Sequence, residues 1–180
     1  LAKNGRDFEA EIETSCHEQK IFYHRIKDVF IPPDLRQRIR VPKNKYDSFV
    51  FYKDTLFPLE FKSIQNKSIS ITDPKIIKPH QIESLAEANT YEGTIPGFII
   101  NYRNYDSQTF FIHIQDYLDY KECAINGNCK YDYTNKVNKS SLSLDIAKEI
   151  GTEITNVKKK TNYRYYINKL LDSLIEKYRT

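Results

Sequence analysis

The chain predicts a mixed β-sheet flanked by helices, on three observations. Amphipathic stripes with helical spacing stand near both ends and between the strands. Short aromatic and β-branched runs alternate with them. Two of those runs are separated only by Lys53-Asp54, which makes a hairpin. A length of 180 residues suits one domain, 1–180, with a single core.

The elements follow in order. Residues 5–19 read as a helix, because Phe8, Ile12 and Cys16 form an i, i+4, i+8 stripe that Asn4 or Asp7 can cap. Glu9 lies beside that stripe, whereas Glu11 and Glu13 point further from it. Residues 21–27 read as a strand. Residues 30–45 contain Pro32, Pro33 and Pro42, so they read as an extended basic excursion with room for a short strand at 38–41. The hairpin at 48–62 comes next, then a short strand at 68–72. Pro79 opens a helix through Asn89, with Gln81, Leu85 and Ala88 on one face. Residues 97–102 and 109–114 form a second antiparallel pair. A short helix is expected at 116–121, a surface loop at 122–139, and a helix at 143–150 stopped by Gly151. Ile167, Leu170, Leu171, Leu174, Ile175 and Tyr178 mark a terminal amphipathic helix.

The hairpin carries the chemistry. With Lys53-Asp54 at its tip, opposed positions sum to 107, and Asp47 lies across from Glu60. Side chains alternate along a strand, so Glu60, Lys62 and Asp47 share one face, with Phe49, Phe51, Leu56 and Pro58 as its apolar remainder. Two carboxylates and an ammonium at one end of such a face suit a divalent metal site for phosphodiester cleavage. Magnesium held by one or two carboxylates polarises a phosphate and acidifies a bound water. Asp47, Glu60 and the backbone carbonyl of Phe61 are the candidate ligands. Lys62 is the group to orient water or neutralise developing charge. Glu9 is expected to support a second metal or an outer-shell water, and Gln81 to fix water or phosphate.

Hydrophobic residues make up 39% of the chain and charged ones 29%, which excludes a disordered chain. No apolar run reaches membrane-span length and no signal pattern opens the chain, so the cytoplasm is the expected compartment, with no membrane partner. The absence of Met, even at position 1, implies residues before Leu1. Cys16, Cys123 and Cys129 are odd in number and lack framework or zinc spacing, which fits reduced thiols. Net charge is +4, a mild basic excess that permits nucleic-acid binding. Arg36, Arg38, Arg40, Lys43 and Lys45 gather five cations in ten residues and are the candidate DNA-binding set. Lys158-Lys159-Lys160 reads equally well as a solvated turn.

Tyr46-Asp47 followed by Glu60-Phe61-Lys62 resembles the PD-(D/E)xK nuclease superfamily, which implies a restriction-endonuclease-like sheet. Asn4-Gly5-Arg6-Asp7-Phe8-Glu9 and His80-Gln81-Ile82-Glu83 resemble the first-helix glutamate motif and the H-Q-I segment of the RecU family of Holliday junction resolvases. Gly97-Phe98-Ile99-Ile100 and Ser143-Leu144-Asp145-Ile146 resemble that family's later strand and helix, so the likeness runs along the whole chain. It implies a homodimeric, Mg²⁺-dependent endonuclease (Mn²⁺ as a substitute) that resolves four-way DNA junctions in recombination and repair. It assigns Asp47, Glu60, Lys62, Glu9 and Gln81 to catalysis. The family stalk corresponds to residues 30–45, which form a shortened, basic, stalk-like insertion, a departure that bears on junction specificity. The alternatives are a restriction- or repair-type endonuclease on duplex DNA and a non-catalytic DNA-binding protein on the same fold.

Overall fold

In a computed structural model the described residues are 5–27, 32–35, 38 and 43–179. A six-stranded mixed sheet runs β1-β2-β3-β5-β6-β8. Its strands are β1 (Phe22–Arg25), β2 (Ser48–Tyr52), β3 (Thr55–Ile64), β5 (Gly97–Tyr102), β6 (Gln108–His113) and β8 (Thr152–Glu153). β3 and β5 are parallel and every other neighbouring pair is antiparallel. The parallel step is bridged by β4 (Ser68–Ser70) and helix α2 (Pro79–Ala88). β4 pairs with β7 (Ser141–Ser143), and β9 (Asn156–Lys158) pairs with β10 (Tyr163–Tyr165).

Alternation along the strands divides the core in two. Phe57, Leu59, Phe61, Ile99 and Phe111 face α1 (Gly5–Glu18) and α5 (Ile167–Tyr178). Phe98, Ile100, Phe110 and Ile112 face α2, α3 (Ile114–Asn126) and α4 (Leu144–Ile150). Glu60 and Lys62 therefore emerge on the α2 side, across from Phe98 and Ile100. Between β5 and β6 the approach is so close that a Cβ on Gly97 would stand 2.5 Å from the carbonyl oxygen of Ile112, so only glycine fits there.

The hairpin register is the one expected. Ser48 opposes Leu59 and Tyr52 opposes Thr55, and Lys53 and Asp54 both take positive φ, 45° and 60°. That is the backbone a two-residue turn needs to match strand twist. The helices at 5–18, 79–88, 144–150 and 167–178 also stand where the stripes place them.

Four expectations change. α3 begins at Ile114 and runs to Asn126, so residues 122–126 are helix rather than loop. Cys123 and Ala124 continue the buried stripe of Tyr117 and Tyr120, and Gly127 caps the end at φ 78°. Glu11 is buried, because β10 brings the Tyr163 amide to its carboxylate at 3.0 Å. Cys123 and Cys129 are disulfide-bonded, so the thiols are not all reduced; Cys16 alone is free, and burial pushes its pKa up to about 12. Of the strand proposed at 38–41, Arg38 lies in a turn, its amide bonded to the Leu35 carbonyl, and the rest is outside the described residues. The apolar remainder of the Asp47–Glu60 face, on whose burial the sequence is silent, is partly covered: Pro58 is buried, whereas Phe51 is 49% exposed.

Candidate active site

Immediately before β2 the pairing with β3 slips by one residue. The amide of Asp47 donates to the Leu59 carbonyl at 3.1 Å, and the Asp47 carbonyl accepts from Ile26 at 2.9 Å. Asp47 is thus held between β1 and β3 at the point where β2 ends. Its carboxylate Oδ2 accepts the Phe61 amide at 2.9 Å. Leu59 O and Phe61 N both face this side, and by alternation the Phe61 carbonyl does too.

Glu60 is 2% exposed. Its Oε1 accepts from Lys62 Nζ at 3.0 Å and from the Gln81 side-chain amide. Burial first, and then the negative charge of Asp47, pushes the Glu60 carboxyl up to about 8, against the opposing pull of Lys62. The two carboxyls are within hydrogen-bond contact of each other. Gln81 is the third residue of α2, and its Oε1 accepts both Lys62 Nζ at 3.1 Å and the Lys78 backbone amide at 3.0 Å. One side chain therefore caps the helix and ties Glu60 to Lys62. The structure brings together four of the five expected catalytic residues.

Glu9 is placed differently. It pairs with Arg25 at 2.5 Å, and the two line a cleft of about 480 Å³ with Arg6, Ile26, Lys27 and Asp47. Glu9 thus shares a cleft with Asp47. Among the described residues, however, no three His, Cys, Asp or Glu side chains stand close enough together to hold a metal ion.

Of the basic set, Arg36 and Arg40 lie outside the described residues. Arg38, Lys43 and Lys45 are exposed, and Lys45 pairs with Glu87 at 2.7 Å. Lys43 stands close enough to His80, at the start of α2, to help burial lower the imidazole pKa.

Sequence reasoning missed Arg25, Lys27 and Arg6 as part of the site. The available signal was the strand at 21–27, whose far end had to pair beside Asp47 to complete the sheet.

No protein-family model matches the chain. The Holliday junction resolvase Hjc of Archaeoglobus fulgidus, a solved structure, is similar at a TM-score of 0.49 and 12% identity, over 83% of this chain and 95% of that one. The SPbeta prophage-derived uncharacterized protein YotM of Bacillus subtilis (strain 168) is 50% identical over 173 residues, 96% of this chain and 87% of that protein. At that identity and coverage, the chain belongs to the YotM family.

Proposed function

We propose that the chain is a Mg²⁺-dependent DNA endonuclease that resolves four-way junctions by paired phosphodiester hydrolysis. One observation carries the reading. Two carboxyls, Asp47 and Glu60, are held in contact with a lysine and a glutamine bonded to the more buried of them. Like charges so placed repel each other, and a cation between them removes the conflict. The donors are hard oxygens, which suit magnesium, and Mn²⁺ as its substitute. Asp47, Glu60 and the Phe61 carbonyl would hold the ion; when bound, it would polarise the phosphate and make water more acidic.

The protein's own groups have separate tasks. The Phe61 amide fixes the Asp47 carboxylate, and Gln81 fixes Glu60 through Oε1, leaving Oε2 of Glu60 without a bond to either Lys62 or Gln81. An ammonium has three donors, and two from Lys62 go to Glu60 and Gln81. The third serves an attacking water or a phosphate oxygen. Arg25, held by Glu9, and Lys27 with Arg6 supply positive charge beside Asp47.

Arg36, Arg38, Arg40, Lys43 and Lys45 grip phosphates near the branch, by shape and backbone rather than by base identity. Two opposed strands must be cut, so the working unit is a C2 homodimer. The motif likeness to RecU supports junctions as the substrate. The short insertion at 30–45 favours, as a second reading, cleavage of linear duplex by the same site.

Mapped nicks on a four-way junction, a linear duplex and a splayed arm separate the readings. Paired symmetrical nicks confined to the junction are expected. Equal cutting of the duplex would remove junction resolution, and binding without cutting would leave only a DNA-binding role.

A further inference from the structure

Beside the catalytic pair, one corner of the sheet is aromatic and uncovered. Phe22 pairs across β1–β2 with Phe51, and His24 with Phe49, so these four side chains share a face. Phe51 then opposes Leu56 and Phe49 opposes Pro58, which carries the face onto β3. Phe22 is 61% exposed and Phe51 49%. The His24 and Phe49 rings lie nearly parallel, with centroids 6.3 Å apart. Asp47 is two residues beyond Phe49 on this same face, and Glu60 two beyond Pro58. The aromatic row therefore begins one strand repeat, about 7 Å, from the carboxyls.

We propose that this face stacks unpaired nucleobases of the strand whose phosphate is cut at Asp47 and Glu60. The proposal rests on the nuclease reading. Its basis is a row of exposed rings that runs along the strands to Asp47 and Glu60, with cations around the strand end beyond Asp47. The face carries no carboxylate between the hairpin turn and Asp47, and Asp47 at its end also lines the cleft of Arg6, Glu9, Arg25 and Lys27, which opens around the strand end on the α1 side of the sheet. Cations that take the backbone, followed by aromatic planes that take bases, are the two parts of a single-strand binding surface. The preferred substrates are then branched molecules with unpaired bases beside the cut, such as open junction centres, flaps and splayed arms, over fully paired duplex.

The test uses oligonucleotides with 2-aminopurine at positions flanking the branch, bound in EDTA so that binding is read without metal-dependent cleavage. Binding should change the 2-aminopurine fluorescence. Joint replacement Phe22→Ser and Phe51→Ser should abolish that change and weaken binding of unpaired substrates by about tenfold or more. Affinity for paired duplex and the sedimentation of the protein should stay as they were. Phe22→Trp with Phe51→Trp should retain both signal and affinity, because a larger ring still stacks.

Equal weakening on paired duplex, or no weakening at all, would overturn the proposal. A dimer that becomes monomeric in the serine variant would also overturn it and assign the face to a second copy of the chain. Failure of the nuclease reading shows separately, as wild-type protein that cuts nothing with Mg²⁺ whatever the fluorescence does.

Discussion

The Asp47 carboxylate accepts the backbone amide of Phe61 at 2.9 Å, and this bond joins the end of one strand to the middle of the strand bearing Glu60 and Lys62. It aims the acid and also occupies an amide that has no β2 backbone partner beyond Ser48. Asp47→Asn keeps an oxygen that can accept this bond, so the fold should persist while cleavage is lost and junction binding remains. Unfolding temperature without metal should be unchanged or raised, since repulsion of Glu60 is relieved. Loss of DNA binding with cleavage would make Asp47 a structural residue.

Gln81 holds Glu60 and Lys62 and also receives the Lys78 amide. Gln81→Leu keeps an apolar body of similar size but removes all three bonds. Cleavage should fall by roughly ten- to a hundredfold, the usual effect of losing a group that orients metal ligands. Stability should fall by about 1–3 kcal/mol, since buried partners are left unsatisfied. DNA affinity measured in EDTA should not move.

The basic segment is tested by salt. Replacing Arg36, Arg38 and Arg40 together with Ala should weaken junction binding and flatten the slope of log K against log salt. For duplex contacts the change is about 0.9 for each phosphate released. An unchanged slope would remove the segment from the interface.

Cys123 and Cys129 are six residues apart in sequence, and their bond joins the end of α3 to the following loop. A loop this short restrains the unfolded chain by roughly 2 kcal/mol. Reductant, or Cys123→Ser, should therefore lower the melting temperature by about 5 °C. Cys16, with its thiol buried and its pKa pushed up to about 12, should resist alkylation at pH 8 until the protein unfolds. A melting curve indifferent to reductant would mean that the bond does not form in solution.

The sequence carried the hairpin and its site because both depend on local rules. A two-residue tip sets the register, and the register brings Asp47 beside the Leu59–Phe61 stretch that bears Glu60. Gln81 was legible as one face of a helix opened by Pro79. What it would touch was not, since that depends on a parallel crossover from β3 to β5. Glu11 was read as pointing away from the core because its partner, the Tyr163 amide, lies 152 residues along the chain. The length of α3 was understated because Glu122 and Asn126 look loop-like, although Tyr117, Tyr120 and Ala124 already carry the buried stripe. The exposure of Phe22 and Phe51 had no sequence signal. Alternation relates Phe49 to Phe51, but only the β1–β2 register puts Phe22 beside them.

The most direct measurement is a time course of four-way-junction cleavage by the wild-type protein with Mg²⁺, beside EDTA and Asp47→Asn controls. The account predicts paired symmetrical nicks that require the metal and vanish in both controls, while Asp47→Asn still shifts the junction on a gel. Nicking that persists in EDTA or with Asp47→Asn would contradict it, because the cut would then come from somewhere other than the Asp47–Glu60–Lys62 site.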